Sequence, residues 1–323
     1  MSGWFLLPFN DPSQVRFLID DTIVIRPDSF YRAQGDVQTI VPDLPDCAYR
    51  FSLSVTELIA SDFHSVRFLP SGTADATVHD SAWFMLDPSR ETDPLPEGEN
   101  IYRVIATEET TLYRLGGATV ANRINNYLKR TQGKSVSNIG PVLDWGSGCA
   151  RVSRYLHKLG CDSLFGVDVD QANVDWCRTN VAWLSAKQIA LAPPIPYENN
   201  SFELILGISI FTHLREPSQF AWLSEIHRIL RPGGLAIVTV MRDGQLALQG
   251  GTAHSIQQLA LDGFILEDNN DQLRLGDSDE NYYVNVYHST DYIYRNWQSD
   301  LEVVDIVPFL GAHQDAVVLR KMA

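Results

Sequence analysis

One stretch of the sequence, residues 141–156, constrains the fold more than any other. It reads PVLDWGSGCARVSRYL: a short apolar run, an acidic residue, two glycines and then a helical pattern. Gly146 and Gly148 permit a tight turn in which backbone amides approach a ligand closely, at the positive end of the following helix. We therefore predict a buried strand, a ligand-binding turn and a helix in that order.

Strand-like and amphipathic segments alternate from this motif to the end of the chain. The strand-like runs are PVLDW, LFGVDV, FELILGI and LAIVTVM, and helices are predicted to begin at Ala150, Gln171 and Ser218. A helix over 119–131 precedes them. The helical pattern STDYIYRNWQSD and a hairpin of LEVVDIV and DAVVLRK follow them. Such alternation predicts an α/β fold, with a parallel sheet covered by helices on both faces.

The first part of the chain has a different pattern. Short runs such as VRFLI, TIVI, YRFSLSV, SVRFL and AWFML alternate with turn-forming residues, which is β-sandwich spacing. Since 323 residues also favour two domains, we predict a β-rich domain over 1–90 and an α/β domain over 118–323. Residues 91–117 are expected to connect them and to cover the ligand site, and residues 243–287 to form an insertion, a lid or acceptor wall.

Composition excludes several classes of function. A net charge of −15 opposes tight binding to nucleic acid or to anionic membranes. The four cysteines form no CxxC pair, so neither a disulfide framework nor a zinc site is indicated. The apolar start MSGWFLLPF is too short for a signal peptide or a membrane span. We therefore expect a cytoplasmic protein without membrane insertion, and the sequence leaves its oligomeric state open.

A second motif, LFGVDVD, ends in an acidic residue about 20 residues after the glycine turn. The carboxylate of Asp168 at this position suits two ribose hydroxyls. A dinucleotide site is excluded because Arg151 stands where a third small residue is required, and a P-loop is excluded by Leu128. Asp144 suits a cation such as the amino group of a methionine moiety. Each carboxylate also has a structural alternative, Asp144 as a loop cap and Asp168 as a helix-entry residue.

Four segments in a fixed order resemble the class I S-adenosylmethionine-dependent methyltransferases of type 11 or 12, over residues 118–323. They are VLDWGSGCARVSRYL, GVDVDQANVDWC, IPYENNSFELILGISIFTHL and EIHRILRPGGLAIVTV. The resemblance implies a Rossmann-like, seven-stranded sheet and S-adenosylmethionine as cofactor. It also implies that Asp144, Gly146 and Gly148 hold the methionine end and Asp168 the ribose. The backbone at Gly207 and Ile208 would face the sulfonium. Leu191 stands where the family often has an acidic residue for adenine.

Three residues are candidates for the chemistry of the acceptor. His213 follows the fourth strand and has the ordinary pKa range of a general base. His313 and Asp315 lie before the last strand, where the carboxylate would orient and charge the imidazole. A hydrogen-bonded structural histidine and simple turn chemistry are the alternatives for these positions. Glu225 falls on a predicted surface helix and is expected to be solvated.

The front region resembles β-sandwich modules that precede the catalytic part of bacterial glycan-modifying enzymes. The matching features are VRFLIDDTIVI, Arg32, GDV at 35–37, Pro42 and YRFSL. This resemblance implies a glycan acceptor, so we expect methylation of a small molecule or saccharide, at a hydroxyl oxygen. N-methylation, a protein acceptor and a non-catalytic S-adenosylmethionine-binding protein remain the alternatives.

Overall fold

The computed structural model describes residues 2–6, 15–20, 23–32, 48–52, 62–69, 83–267, 284–298 and 300–322. Tertiary contacts divide the chain into two units, Met1–Thr92 and Asp93–Ala323. Within the described ranges, no helix is both long and apolar enough to cross a membrane.

The first unit is built from antiparallel strands. These are β1 (Ser2–Leu6), β2 (Arg16–Ile19), β3 (Ile23–Ile25), β4 (Ser29–Arg32), β5 (Ala48–Ser52), β6 (Phe63–Leu69) and β7 (Trp83–Leu86). They form one sheet of order β1-β5-β4 and another of order β3-β2-β6-β7. Strands β2 and β3, which lie in the segment VRFLIDDTIVI, pair antiparallel with Phe17 opposite Ile25. The GDV segment and Pro42 lie outside the described residues, and the sandwich arrangement and the glycan-module resemblance stay predictions.

The second unit contains a seven-stranded sheet flanked by helices. Its helices are α1 (Gly98–Ile105), α2 (Thr110–Gln132), α3 (Ser153–Lys158), α4 (Gln171–Asn180), α5 (Glu216–Ile229), α6 (Asp243–Leu248), α7 (Ala253–Asp262) and α8 (Thr290–Asn296). The strands are β8 (Val142–Trp145), β9 (Leu164–Asp168), β10 (Leu184–Gln188), β11 (Phe202–Gly207), β12 (Leu230–Val240), β13 (Phe264–Glu267), β14 (Asn285–His288), β15 (Leu301–Gly311) and β16 (Gln314–Lys321).

The strand order of the large sheet is β10-β9-β8-β11-β12-β16-β15. Strands β8 to β12 pair in parallel, and β16 is antiparallel to both of its neighbours. The predicted Rossmann-like, seven-stranded fold is thereby confirmed. The insertion begins with α6, α7 and β13, and β13 pairs with β14 in a two-stranded antiparallel sheet.

Aromatic side chains fill the core beneath the carboxyl ends of β8 and β11. The ring centroids of Trp145 and Trp222 are 4.6 Å apart, and those of Trp145 and Phe211 are 5.7 Å apart. Phe211 also contacts Trp297 of the C-terminal region, with centroids 4.9 Å apart. All four rings are buried. Because packed aromatic pairs resist displacement, this cluster gives the strand ends a rigid base.

The starts of two helices differ most from their predicted positions. The helix predicted over 119–131 is the C-terminal part of α2, which already begins at Thr110. Gly117 interrupts the helical pattern, so the sequence does not indicate the first part of α2. A glycine is required there by packing, because a Cβ would lie 2.1 Å from the carbonyl oxygen of Arg151. The helix predicted from Ala150 begins at Ser153 instead, because Ala150 has a left-handed φ of 62° and prolongs the preceding turn.

Glu225 on α5 is buried, so the prediction that it is solvated is wrong. Its Oε1 accepts hydrogen bonds from the amide of Ile195 at 2.6 Å and from Nη2 of Arg228 at 2.7 Å. Arg228 also donates to the carbonyl oxygens of Tyr197 and Ile195. Burial raises the pKa of Glu225, but these hydrogen bonds outweigh it and hold the pKa below its usual value. The pair therefore fastens the segment before β11 to α5.

We predict that Glu225→Ala lowers the free energy of unfolding by about 2 kcal/mol, because it strands the Ile195 amide and the Arg228 guanidinium. The measurement is urea unfolding followed by circular dichroism. Ser224→Ala, at the exposed neighbouring position on the same helix, is the control and should change stability by less than about 0.5 kcal/mol. Equal effects of the two substitutions would contradict a fastening role for Glu225.

Candidate active site at the carboxyl ends of the parallel strands

A cavity of about 570 Å³ opens in the second unit where β8, β9 and β11 end. Open α/β sheets bind ligands at this edge. Its wall comes from the C-terminal half of α1, the turn after β8, the end of β9, the segment after β11 and the tip of the β15–β16 hairpin. The cavity size is that of a site for one or two small molecules.

The glycine turn after β8 has the backbone that the sequence predicts. Gly146 and Gly148 have φ of 76° and 51°, in the left-handed region that favours glycine. A Cβ on Gly146 would lie 2.2 Å from Cδ1 of Ile210, and one on Gly148 would lie 2.7 Å from Cγ2 of Val104. Both glycines line the cavity. A side chain at either position would force Ile210 or Val104 to move and would strain the backbone. The two glycines therefore keep the turn open, as a cradle for a ligand.

Asp168 at the end of β9 holds this turn. Its Oδ2 accepts the amide hydrogen of Gly148 at 2.7 Å, and its Oδ1 accepts that of Asp170 at 2.8 Å. Burial raises the pKa of Asp168 to about 6, against the effect of those two hydrogen bonds. The side chain lines the cavity, as predicted for a ribose-binding carboxylate.

Asp144 and Arg151 bring opposite charges to the same wall. Oδ2 of Asp144 accepts a hydrogen bond from Oγ of Ser153 at 2.5 Å. Burial raises the pKa of Asp144, while the Ser153 hydroxyl and the positive charge of Arg151 oppose that rise. Nε of Arg151 is enclosed and has no hydrogen-bond partner among the described residues. The arrangement suits a zwitterion, with an ammonium near Asp144 and a carboxylate near Arg151.

Sequence reasoning used Arg151 only to exclude a dinucleotide site and missed it as a wall residue. A cation directly after a ligand-binding glycine turn was the available signal. The structure also separates the other two predicted cofactor contacts. Ile208 lines the cavity, whereas Gly207 is packed in the sheet, where a Cβ would lie 3.0 Å from Trp145 and 3.2 Å from Val238.

Helix α1 forms one side of the cavity. Nη1 of Arg103 donates to Oδ2 of Asp170 at 3.1 Å, and Nη2 donates to Glu99 at 3.0 Å. Nδ2 of Asn100 donates to Oδ1 of Asn173 at 3.3 Å. These contacts attach α1 to the end of β9 and to α4, so part of the segment 91–117 lies against the cavity.

The two candidate histidines both line the cavity. Nδ1 of His213 donates to the carbonyl oxygen of Val284 at 3.1 Å, which places the proton of a neutral ring on that nitrogen. Burial lowers the pKa of His213 to about 4, although this hydrogen bond opposes the shift. Burial and the nearby charge of Arg151 lower the pKa of His313. Both imidazoles are therefore neutral at neutral pH.

Asp315 does not pair with His313, and it lies off the cavity wall. Its carboxylate accepts hydrogen bonds from Nη1 of Arg242 at 3.0 Å, Nε2 of Gln245 at 2.9 Å and the amide of Phe309 at 3.0 Å. The physical reason is register: Asp315 lies opposite Val240 in the β12–β16 pairing, next to the start of α6. The expectation that Asp315 orients His313 is corrected to a structural role.

Part of the chain that forms the cavity matches a known protein family. Residues 142–234 match the model of a family described as a methyltransferase domain. The protein is an S-adenosylmethionine-dependent methyltransferase. The match spans β8 to the start of β12 and includes the glycine turn and Asp168.

Three of the solved structures with a similar fold are named as methyltransferases. One is 1,6-didemethyltoxoflavin-N1-methyltransferase of Burkholderia thailandensis, with S-adenosylhomocysteine bound (16% identity, 72% of this chain and 94% of that one, TM-score 0.44). Another is a putative methyltransferase of Methanococcus maripaludis (17% identity, 72% and 97%, TM-score 0.43). A third is the glycopeptide N-methyltransferase MtfA with S-adenosylmethionine (14% identity, 63% and 94%, TM-score 0.42).

The cavity fits S-adenosylmethionine, the cofactor of the enzyme. The glycine cradle leaves room for close backbone approach, and the guanidinium of Arg151 together with Asp144 matches the charges of a methionine end. Asp168 offers carboxylate oxygens for ribose hydroxyls. Ile189, which follows β10 and lines the same cavity, offers apolar surface of the kind an adenine ring needs in the absence of an acidic partner.

We predict that the affinity for S-adenosylhomocysteine falls about tenfold between pH 7 and pH 5, because ribose hydroxyls bind the ionised form of Asp168 and its pKa is about 6. Only about a tenth of the carboxylate is ionised at pH 5. Calorimetric titration at several pH values measures this. Asp168→Asn should bind weakly with a much smaller pH dependence, while the exposed Asp175→Asn on α4 should behave as wild type. A flat wild-type profile would exclude this role.

We predict that Asp315→Ala lowers the free energy of unfolding by about 3 kcal/mol, since it leaves Arg242 and the Phe309 amide without their anion. The dissociation constant of S-adenosylhomocysteine should stay within about twofold, because Asp315 lies off the cavity wall. Asp243→Ala is the control: its exposed carboxylate is 3.8 Å from the same guanidinium and should contribute less than about 0.5 kcal/mol. Selective loss of binding with normal stability would instead place Asp315 in the site.

Proposed function

We propose that the enzyme methylates a hydroxyl oxygen of a small-molecule or saccharide acceptor in the cytoplasm. The observation that carries this proposal is the presence of two neutral imidazoles, His213 and His313, on the wall of the cavity that fits the cofactor. A hydroxyl is a poor nucleophile until its proton is removed, and a neutral imidazole can accept that proton. Amine acceptors need no such base once they are neutral.

His313 is the better base of the two. A general base works best with a pKa close to the working pH, and the pKa of His213, about 4, lies far below neutrality. His213 is also fixed through Nδ1 by Val284, which suits a side chain that positions the acceptor. In the proposed roles, His213 orients the acceptor, and His313 takes the hydroxyl proton as the oxygen attacks. The bound cofactor supplies an electrophilic methyl group for in-line displacement.

The size of the cavity supports a small acceptor. A cavity of about 570 Å³ lies within the range of sites that bind small molecules. The resemblance of the front region to modules of glycan-modifying enzymes favours a saccharide within this class. A small acceptor also agrees with the net charge of −15, which opposes nucleic acid as a substrate.

The test uses the full chain, S-adenosylmethionine with a labelled methyl group, and panels of sugars, sugar nucleotides, phenols, amines and one unfolded protein. Transfer to a hydroxyl is expected, with the product identified by mass spectrometry. Transfer to amines alone would replace the proposal with N-methylation, and transfer to the protein alone would replace it with protein methylation. Binding of S-adenosylhomocysteine without any transfer would indicate a non-catalytic binding protein.

We predict that His313→Gln lowers kcat by at least about 100-fold and leaves S-adenosylhomocysteine affinity nearly unchanged. In the wild type, kcat/KM should rise with pH and level off, because the base acts when neutral. Since the pKa of His313 is lowered, the rise should have its midpoint below 6.5. His313→Gln should lose this rise. His254→Gln, on the exposed face of α7, is the control. An unchanged profile in His313→Gln would exclude the residue as base.

A further inference from the structure

A closed set of hydrogen bonds surrounds the side-chain amide of Gln314 at the start of β16. The amide hydrogen of Ser209 is donated to Oγ1 of Thr239 at 2.7 Å. The hydroxyls of Thr239 and Ser209 lie 2.6 and 3.0 Å from Oε1 of Gln314 and donate to it. Both hydroxyl hydrogens and both lone pairs of Oε1 are thereby used, and the orientation of the amide is fixed.

The only donors left over in this set are the two hydrogens on Nε2 of Gln314. Gln314 is 4% exposed and lines the cavity. Among the described residues Nε2 has no hydrogen-bond partner, yet it is not sealed inside the protein like the enclosed orphan atoms elsewhere in the second unit. Its accessible side is the cavity.

The backbone at Ser209 shows that this arrangement is maintained against strain. Ser209 has a φ of 61°, in the left-handed region that non-glycine residues rarely adopt. Thr239 is fully buried, and a Cβ on Gly311 would lie 2.4 Å from its Cγ2, so the Thr239 side chain is held in place. Strained residues that their surroundings hold in place cluster at functional sites.

We propose that Nε2 of Gln314 donates to an acceptor oxygen next to the hydroxyl that is methylated. Gln314 lies past β12, on the side of the sheet away from Asp168, so its donors face the acceptor rather than the ribose end. The enzyme then selects acceptors with two neighbouring oxygen substituents, a vicinal diol or a hydroxy acid. This inference rests on the proposed O-methylation. Thr239 is a positioning residue, because it acts only through Gln314.

The test is calorimetric titration of the S-adenosylhomocysteine-loaded full chain with three six-membered rings. Cyclohexanol has one oxygen substituent, trans-1,2-cyclohexanediol has two hydroxyls, and 2-hydroxycyclohexanecarboxylate has a hydroxyl and a carboxylate. If the amide recognises a hydroxyl, the wild type should bind the diol up to about tenfold more tightly than cyclohexanol. If it recognises a carboxylate, the wild type should bind the acid about 10- to 100-fold more tightly than cyclohexanol. A wild type that shows neither preference overturns the proposal.

Variants link the preference to the amide. Gln314→Glu keeps the acceptor oxygen for Ser209 and Thr239 but removes the donors, and it should abolish the preference. Thr239→Val should weaken the preference, and Thr239→Ser, which keeps the hydroxyl, should restore it. Gln249→Met, outside the cavity, is the control.

S-adenosylhomocysteine affinity and melting temperature are measured for every variant, and Gln314→Met serves if Gln314→Glu does not fold. Cofactor affinity should stay within about twofold. Retention of the preference in the folded Gln314 variant overturns the proposal, and so does an equal loss of ring and cofactor affinity. Failure of O-methylation is a separate result, because the panel assay detects it in the wild type without any variant.

Discussion

The attachment of the glycine turn to β9 is the interaction on which the rest of the site depends. The amides of Gly146 and Ser147 donate to the carbonyl oxygen of Val167, and the amide of Gly148 donates to the side chain of Asp168. Three successive amides are therefore committed to one neighbouring strand. Because the turn cannot shift along β9, it fixes the positions of Asp144 before it and Arg151 after it, and with them two of the charges on the cavity wall.

The site holds these charges at a cost to the ligand-free protein. Burial raises the pKa values of Asp144 and Asp168 and lowers that of Arg151, so each charged form is disfavoured in the absence of a partner. By the contacts proposed above, a cofactor with an ammonium, a carboxylate and two ribose hydroxyls would complement all three groups at once. Ligand binding would then stabilise the fold through the same residues that recognise the ligand. The aromatic cluster around Trp145 restricts relaxation of the strand ends that carry these residues.

The sequence predicts the parts of the molecule that depend on local chemistry. The order of β8, β9, β11 and β12, the left-handed glycines and the position of Asp168 follow from periodicity and from the conformational demands of a tight turn. Contacts between distant residues were not predictable in the same way. Asp315 meets Arg242 across 73 positions, Glu225 meets Ile195 across 30, and Arg103 of α1 meets Asp170 across 67. Strand β10 was not predicted, because LSAKQ, at the edge of the sheet, contains few of the apolar residues that indicate a buried strand.

Gly117 illustrates how a position without any contact to a ligand can set the limits of engineering. Alanine normally strengthens a helix interior relative to glycine, by up to about 1 kcal/mol, and a routine thermostabilisation scheme would choose this exchange in α2. Here the missing methyl group is what lets α2 approach the backbone of Arg151, 34 positions further along (151 minus 117). Gly117→Ala would therefore lose more through the clash with the Arg151 backbone than it would gain in helix propensity. The helix-propensity scale misjudges this position, because the close approach of α2 to another part of the backbone decides which residue fits.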